Sequence, residues 1–171
     1  VVESEEEPGW ISAVAGAIGA GSLSSFTAFE AATPATTNQG WQTFSKAIQA
    51  SPKKVPDSSQ YLKDPFTLSY YDAANLVALA IVAAHSTKPT VFNSYIMGLT
   101  AAGPGKTVVT DFADGAKALA AGKQIQYVGA LGQLSLDKYH NIAADFIALS
   151  EGQQPKQLGT APTNLMIQAA G

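Results

Sequence analysis

Ser69-Tyr70-Tyr71-Asp72-Ala73-Ala74-Asn75-Leu76-Val77-Ala78-Leu79-Ala80-Ile81-Val82-Ala83-Ala84-His85 is the strongest helix signal in the chain. After Asn75 it is apolar on nearly every face, which predicts a core helix buried on most sides. Its most apolar run, Ala73 to Ala84, is about 12 residues long, short of the roughly 20 that a membrane span requires. Upstream lies Ser51 to Pro65, an irregular loop with Pro52, Pro56 and Pro65. Phe66, Tyr70 and Tyr71 sit between that loop and the apolar run. Such a cluster suits helix-start packing, and it also suits the aromatic wall of a ligand pocket.

Working outward, Val1 to Ser4 reads as a short strand, followed by an acidic turn to Pro8. Trp10, Ile11, Val14 and Ile18 have helical spacing, and Gly19 and Gly21 stop that helix. Ser22 to Phe29 alternates loosely and reads as a strand. Trp41 to Ala50 is a short amphipathic helix. Beyond the central helix, Thr87-Lys88-Pro89 opens another, ended by Gly103-Pro104-Gly105. Asp111-Phe112-Ala113-Asp114 resembles a capping box, and its helix closes at Gly122. Ile125 to Leu131, Leu134 to Leu136 and Ile142 to Leu149 read as strands, and the tail from Gly152 as Gln-, Pro- and Thr-rich chain. Early alternation of strand and helix points to an α/β class with a parallel sheet.

The chain has 171 residues, enough for one domain with a real core. It has no cysteine, which excludes disulfides and thiolate chemistry. All ten basic residues are lysine against thirteen acids, so nucleic acid is not an expected partner. Charged residues make up 13%, about half the globular average of roughly 25%. The start, Val1 to Glu7, lacks the basic and apolar regions of a signal peptide, as a mature or truncated chain would.

Three motifs invite chemistry and fall short of it. Gly103-Pro104-Gly105-Lys106-Thr107 lacks the earlier glycine of a phosphate loop, because Thr100 stands there. Gly19-Ala20-Gly21-Ser22 lacks the flanking glycines of a nucleophile elbow. Asp137 and His140 stand three apart in a turn, a weak pairing for a metal or a general base, and His85 sits at a helix end. No catalytic residue, metal or cofactor is expected. Glu3, Glu5, Glu6 and Glu7 read either as a solvated turn or as carboxylates placed to meet a ligand ammonium at a strand end.

From Tyr71-Asp72-Ala73-Ala74-Asn75-Leu76 the chain resembles the extracytoplasmic solute-binding proteins of ABC transporters, the branched-chain amino-acid-binding type. The match continues through Ala116-Lys117-Ala118-Leu119-Ala120-Ala121-Gly122-Lys123, Tyr127-Val128-Gly129-Ala130-Leu131-Gly132 and Leu136-Asp137. It departs from the family at Leu136, where phenylalanine is usual, and at Tyr139-His140-Asn141, where glycine is usual.

The resemblance implies part of a bilobed periplasmic-binding-protein type I fold, the Venus flytrap, with a parallel sheet flanked by helices. Residues 1–124 would be the C-terminal portion of one α/β lobe. Residues 125–171 would be crossover strands and a tail towards the second lobe. The function implied is capture of a small polar ligand, an amino acid or a relative, for delivery to a membrane permease. A ligand-sensing receptor or regulator domain of the same fold is the alternative. The setting would be the periplasm or cell surface, with lipoprotein anchoring an option for the full-length protein. The missing N-terminal half is then a partner, and the chain alone is expected to self-associate. By position Glu5 would pair with a ligand ammonium, with Glu3 and Glu6 as neighbouring candidates. Phe66 would wall the pocket, with Tyr70 beside it, and Tyr71 would be structural. Low charge would follow from faces meant to pack on the absent half.

Overall fold

The computed structural model describes residues 8–25, 27–32, 36–51, 58–134, 136–137, 139–142, 145–150 and 156–161. The chain is mixed α/β, and it divides into two compact units, Thr33–Ile142 and the pair of segments Val1–Ala32 and Ala143–Gly171. The strand expected at Val1 to Ser4 lies outside the described residues.

The unit Thr33–Ile142 holds α2 (Gln39–Gln49), α3 (Ser58–Tyr61), α4 (Pro65–Ala84), α5 (Pro89–Phe92), α6 (Ile96–Thr100), β2 (Thr107–Val109), α7 (Phe112–Ala120), β3 (Ile125–Gly129) and β4 (Gly132–Gln133). β3 is the middle strand of three, parallel to β2 and antiparallel to β4. A parallel pair needs a crossover, and α7 supplies it. Thr107–Val109 was not legible as a strand: it is three residues long, and only pairing to Ile125–Tyr127 defines it. β4 falls at Gly132–Gln133, just before the strand expected at Leu134–Leu136. Leu136 makes only an isolated bridge to Ile142.

α4 starts four residues before Ser69 because Asp64-Pro65 is a strong start signal. The Asp64 carboxylate accepts from Phe66 N at 3.2 Å and Thr67 N at 2.9 Å, and Pro65 occupies the first turn. At the other end His85 takes a left-handed conformation, φ 49°, and His85 N and Ser86 N close on Val82 and Ile81 carbonyls. The helix is therefore 20 residues long, and by length and apolarity it meets the test for a membrane span. Within this unit it is a core helix: Leu76, Leu79 and Ala80 pack with Leu99, Val109, Ala118, Ile125 and Tyr127.

That burial is one-sided, a correction to the expectation that most faces are covered. Leu68, Asp72, Asn75, Leu76, Leu79 and Ala80 are buried, whereas Phe66, Tyr70, Ala73, Ala74 and Val77 are exposed. The exposed set spans roughly 100° of the helix circumference and carries no charge. Apolar composition all round did not dictate burial all round.

The other unit holds α1 (Pro8–Ile18), β1 (Thr27–Ala31), β5 (Phe146–Ser150) and β6 (Lys156–Ala161), with the strands antiparallel in the order β1-β5-β6. Gly19, at φ 86°, ends α1 as expected. Ala20–Ser25 is a 3-10 turn rather than strand: Ser22 N and Oγ bond back to the Gly19 and Ile18 carbonyls. β6 lies in the tail read as irregular. Its residues Lys156 to Thr160 are exposed, so no apolar alternation marks it. Among the residues of this unit whose burial is described, none is buried.

Candidate functional site

In an α/β sheet, ligands gather at the carboxyl ends of the strands. At the carboxyl end of β3, α4 contributes Asp72, which is 0% exposed. One carboxylate oxygen accepts from Tyr127 Oη at 2.9 Å and from Ala130 N at 2.7 Å. The other accepts from Leu131 N at 3.0 Å. The carboxylate thereby clamps the turn between β3 and β4 to the helix.

A second side chain holds the same turn. Asn38 caps α2 by accepting from Trp41 N at 2.7 Å, and its amide donates to the Ala130 carbonyl at 3.1 Å. Two glycines make the close approach possible. A Cβ on Gly129 would collide with the Asp72 carboxylate, and one on Gly40 with the Gly129 carbonyl. Nearby, Phe44 packs edge-on to Tyr71 with ring centroids 4.9 Å apart. Thr43 Oγ1 and Thr110 Oγ1 share a hydrogen bond of 2.8 Å from α2 to the end of β2. Trp41 Nε1 donates to the Leu62 carbonyl at 2.7 Å.

Electrostatics follow from this burial. Desolvation pushes the Asp72 carboxyl above its ordinary range, while the bonds from Leu131, Ala130 and Tyr127 pull the other way without cancelling it. Burial, and then the neighbouring Asp72 charge, push the Tyr127 phenol far upward. The Tyr71 phenol is raised too, first by burial, with Asn75 opposing and Asp111 and Asp72 adding to it. Asp72 has donors on both oxygens and no exposure, so it cannot meet a substrate. Its chemistry is that of a brace.

The sequence-predicted site residues separate. Glu3, Glu5 and Glu6 lie outside the described residues. Phe66 and Tyr70 stand one helical turn apart on the exposed side of α4, 40% and 77% exposed. They adjoin the start of the helix capped by Asp64 and present an aromatic edge to solvent. Tyr71 faces inward on Phe44. Asp72, Tyr127, Asn38 and Gly129 were not picked out as acting together. An aspartate about two turns into an apolar helix signals a buried partner.

The weaker motifs resolve into structural roles. Lys106 donates its ammonium to the Gly98 and Ala101 carbonyls at 2.6 and 2.8 Å, so it caps α6 rather than a phosphate. Asp137 accepts from Tyr139 N, Asn141 N and the Asn141 amide, and so organises a turn. His140 takes φ 66° in that turn. Among the described residues no group of three or more His, Asp or Glu side chains could hold a metal ion.

Comparison of the chain with protein-family models, with curated proteins and with solved structures found no match.

Proposed function

We propose that this chain is part of a solute-binding component of an ABC-type transporter, of the branched-chain amino-acid-binding type, which captures a small polar ligand between two lobes and hands it to a membrane permease outside the cytoplasm. One observation carries the reading. The two segments that bear the resemblance, Tyr71-Asp72-Ala73-Ala74-Asn75 and Tyr127-Val128-Gly129-Ala130-Leu131-Gly132, are joined through the Asp72 clamp although 55 residues separate Asp72 from Tyr127. A motif pair that merely coincided in sequence would have no reason to share a buried carboxylate.

Two further features support it. His140, within the Tyr139-His140-Asn141 stretch that stands where the family usually has glycine, adopts a left-handed conformation. The exposed apolar stripe of α4 and the unit without a described buried residue are faces that a further part of a bilobed protein would cover. In this reading Phe66 and Tyr70 wall the pocket, Glu5 meets the ligand ammonium, and closure excludes water and strengthens those contacts.

The test is isothermal titration of the full-length protein that carries this chain against amino acids, their amides and small aromatic acids. Saturable binding of at least one compound is expected, and Phe66→Ala with Tyr70→Ala should weaken it at least about tenfold, or roughly 1.4 kcal/mol. Absence of binding across the panel by a folded protein would end the reading.

A further inference from the structure

The amino ends of β2 and β3 carry a second feature, separate from the carboxyl-end site. β3 puts Ile125 about 13 Å from Gly129, so the two ends are well apart. A cavity of ≈ 570 Å³ opens beside Ile125. That volume suits a small molecule, for which pockets of roughly 300–1,000 Å³ are usual.

Its floor is apolar. Leu99 and Ile125 are buried core residues, and Leu119 packs against the same cluster. Tyr95, from the turn before α6, adds an aromatic wall and is 43% exposed. The mouth carries Lys106 and Lys123, and among the described residues no aspartate or glutamate lines the cavity.

The charge balance decides the ligand. The last turns of α4, α6 and α7 all line the cavity, and helix carboxyl ends favour cations. Those ends are satisfied in part from within the chain. His85 N and Ser86 N close α4, the Lys106 ammonium closes α6, and Ala121 N, Gly122 N and Lys123 N close α7. Even uncapped, three ends at about half a unit of negative charge each would not offset two full ammonium charges. Lys106 spends two of its three N–H groups on carbonyls and keeps one. Among the described residues nothing is bonded to the Lys123 ammonium.

We infer that this cavity is a binding site for a small amphipathic anion, a monocarboxylate on a compact aromatic or branched apolar body. The apolar body occupies the floor against Leu99, Leu119 and Ile125. The carboxylate sits at the mouth, where the free N–H of Lys106 and the Lys123 ammonium meet it with charge-assisted hydrogen bonds.

The experiment follows amide shifts of the isotope-labelled 171-residue chain during titration with 4-methylbenzoate, its neutral amide and 4-methylbenzylammonium. Saturable shifts at Gly98, Gln124 and Ile125 are expected with the carboxylate, at least about fivefold tighter than with the amide or the ammonium. Lys123→Gln, an exposed change, should weaken carboxylate binding about threefold or more and leave the spectrum otherwise intact. Ala120→Leu, which fills the mouth, should abolish it. Equal binding of carboxylate and amide, preference for the ammonium compound, or unchanged affinity in Lys123→Gln would overturn the assignment. Shifts confined to Phe66 and Tyr70 would overturn it as well, and would leave the transport reading standing.

Discussion

Replacing Asp72 is the sharpest test of how this chain is held together. Asp72→Ala leaves three donors without an acceptor: Tyr127 Oη, Ala130 N and Leu131 N. Tyr127 and Ala130 are 0% exposed, so water cannot replace the lost acceptor there, whereas Leu131 is half-buried and recovers part of its loss. Two fully orphaned buried donors cost about 1–3 kcal/mol each. Relief from burying a charge offsets part of this, which leaves an expected loss of about 3–4 kcal/mol. Against a total stability of roughly 5–15 kcal/mol, that is a large share. Asp72→Asn keeps one carbonyl oxygen, enough for Tyr127 and Ala130, but turns an N–H₂ towards Leu131 N. It also removes the buried charge, so its loss should be about 1 kcal/mol. Tyr127→Phe deletes one donor and keeps the ring, for a loss of about 1–2 kcal/mol.

Urea unfolding, followed by far-ultraviolet circular dichroism and tryptophan fluorescence, measures all three at constant slope. A pH arm isolates the carboxyl. Because its native pKa is raised above the ordinary 3.8, the folded chain binds the proton more tightly than the unfolded one. The carboxyl's contribution is therefore fully present below 3.8 and is lost as pH climbs through the raised value. The wild type should lose stability relative to Asp72→Asn as pH rises from 3.8 through the raised value. A loss under about 1 kcal/mol for Asp72→Ala would refute the clamp, whereas a wild type that gains on Asp72→Asn as pH rises would refute the dominance of burial over the three bonds.

Other outcomes follow from the same neighbourhood. Gly40→Ala drives a Cβ into the Gly129 backbone, which cannot rotate away, and should cost about 3 kcal/mol by chemical denaturation. Gly115→Ala meets only the tip of Leu79 and gains up to about 1 kcal/mol of helix propensity, so its net change should stay within about 1 kcal/mol. Asn38→Ala removes both the cap of α2 and the bond to the Ala130 carbonyl; a thermal melt should report a loss of about 1–2 kcal/mol. Tyr127 should release its phenolate absorbance only as the chain unfolds in alkali, and Tyr71 at a pH above its ordinary 10, because folding holds both protons; their stabilising contribution is present below pH 10 and is lost as pH climbs through the raised values.

The elements that local chemistry controls were readable in the sequence. Pro8 to Ile18, the helix after Asn38, the Asp111 capping box and the glycine stops at Gly19 and Gly122 all depend on neighbours within four residues. Elements defined by their pairing were not. Thr107–Val109 is too short to carry a pattern, and Lys156–Ala161 has no apolar face. The first is a strand because Ile125–Tyr127, beyond α7, offers it hydrogen bonds, and the second because the preceding strand Phe146–Ser150 does. Ser22–Ser25 went the other way, the Ser22 hydroxyl and amide turning back on the end of α1 and Gly19 instead of joining a sheet.

The central helix shows the division most plainly. Its composition alone determined that Ser69 to Ala84 is helical and that Tyr71-Asp72-Ala73-Ala74-Asn75 is its distinctive part. Only the tertiary structure decided which side is buried, because leucine, valine and alanine surround the helix and composition does not choose among faces. The choice was made by Asp72. A carboxylate cannot stay in an apolar interior without donors, and the backbone of the Gly129–Gly132 turn with the Tyr127 phenol supplies three. That requirement fixes the rotation of α4, turns Leu76 and Leu79 inward, and leaves Phe66 and Tyr70 facing out.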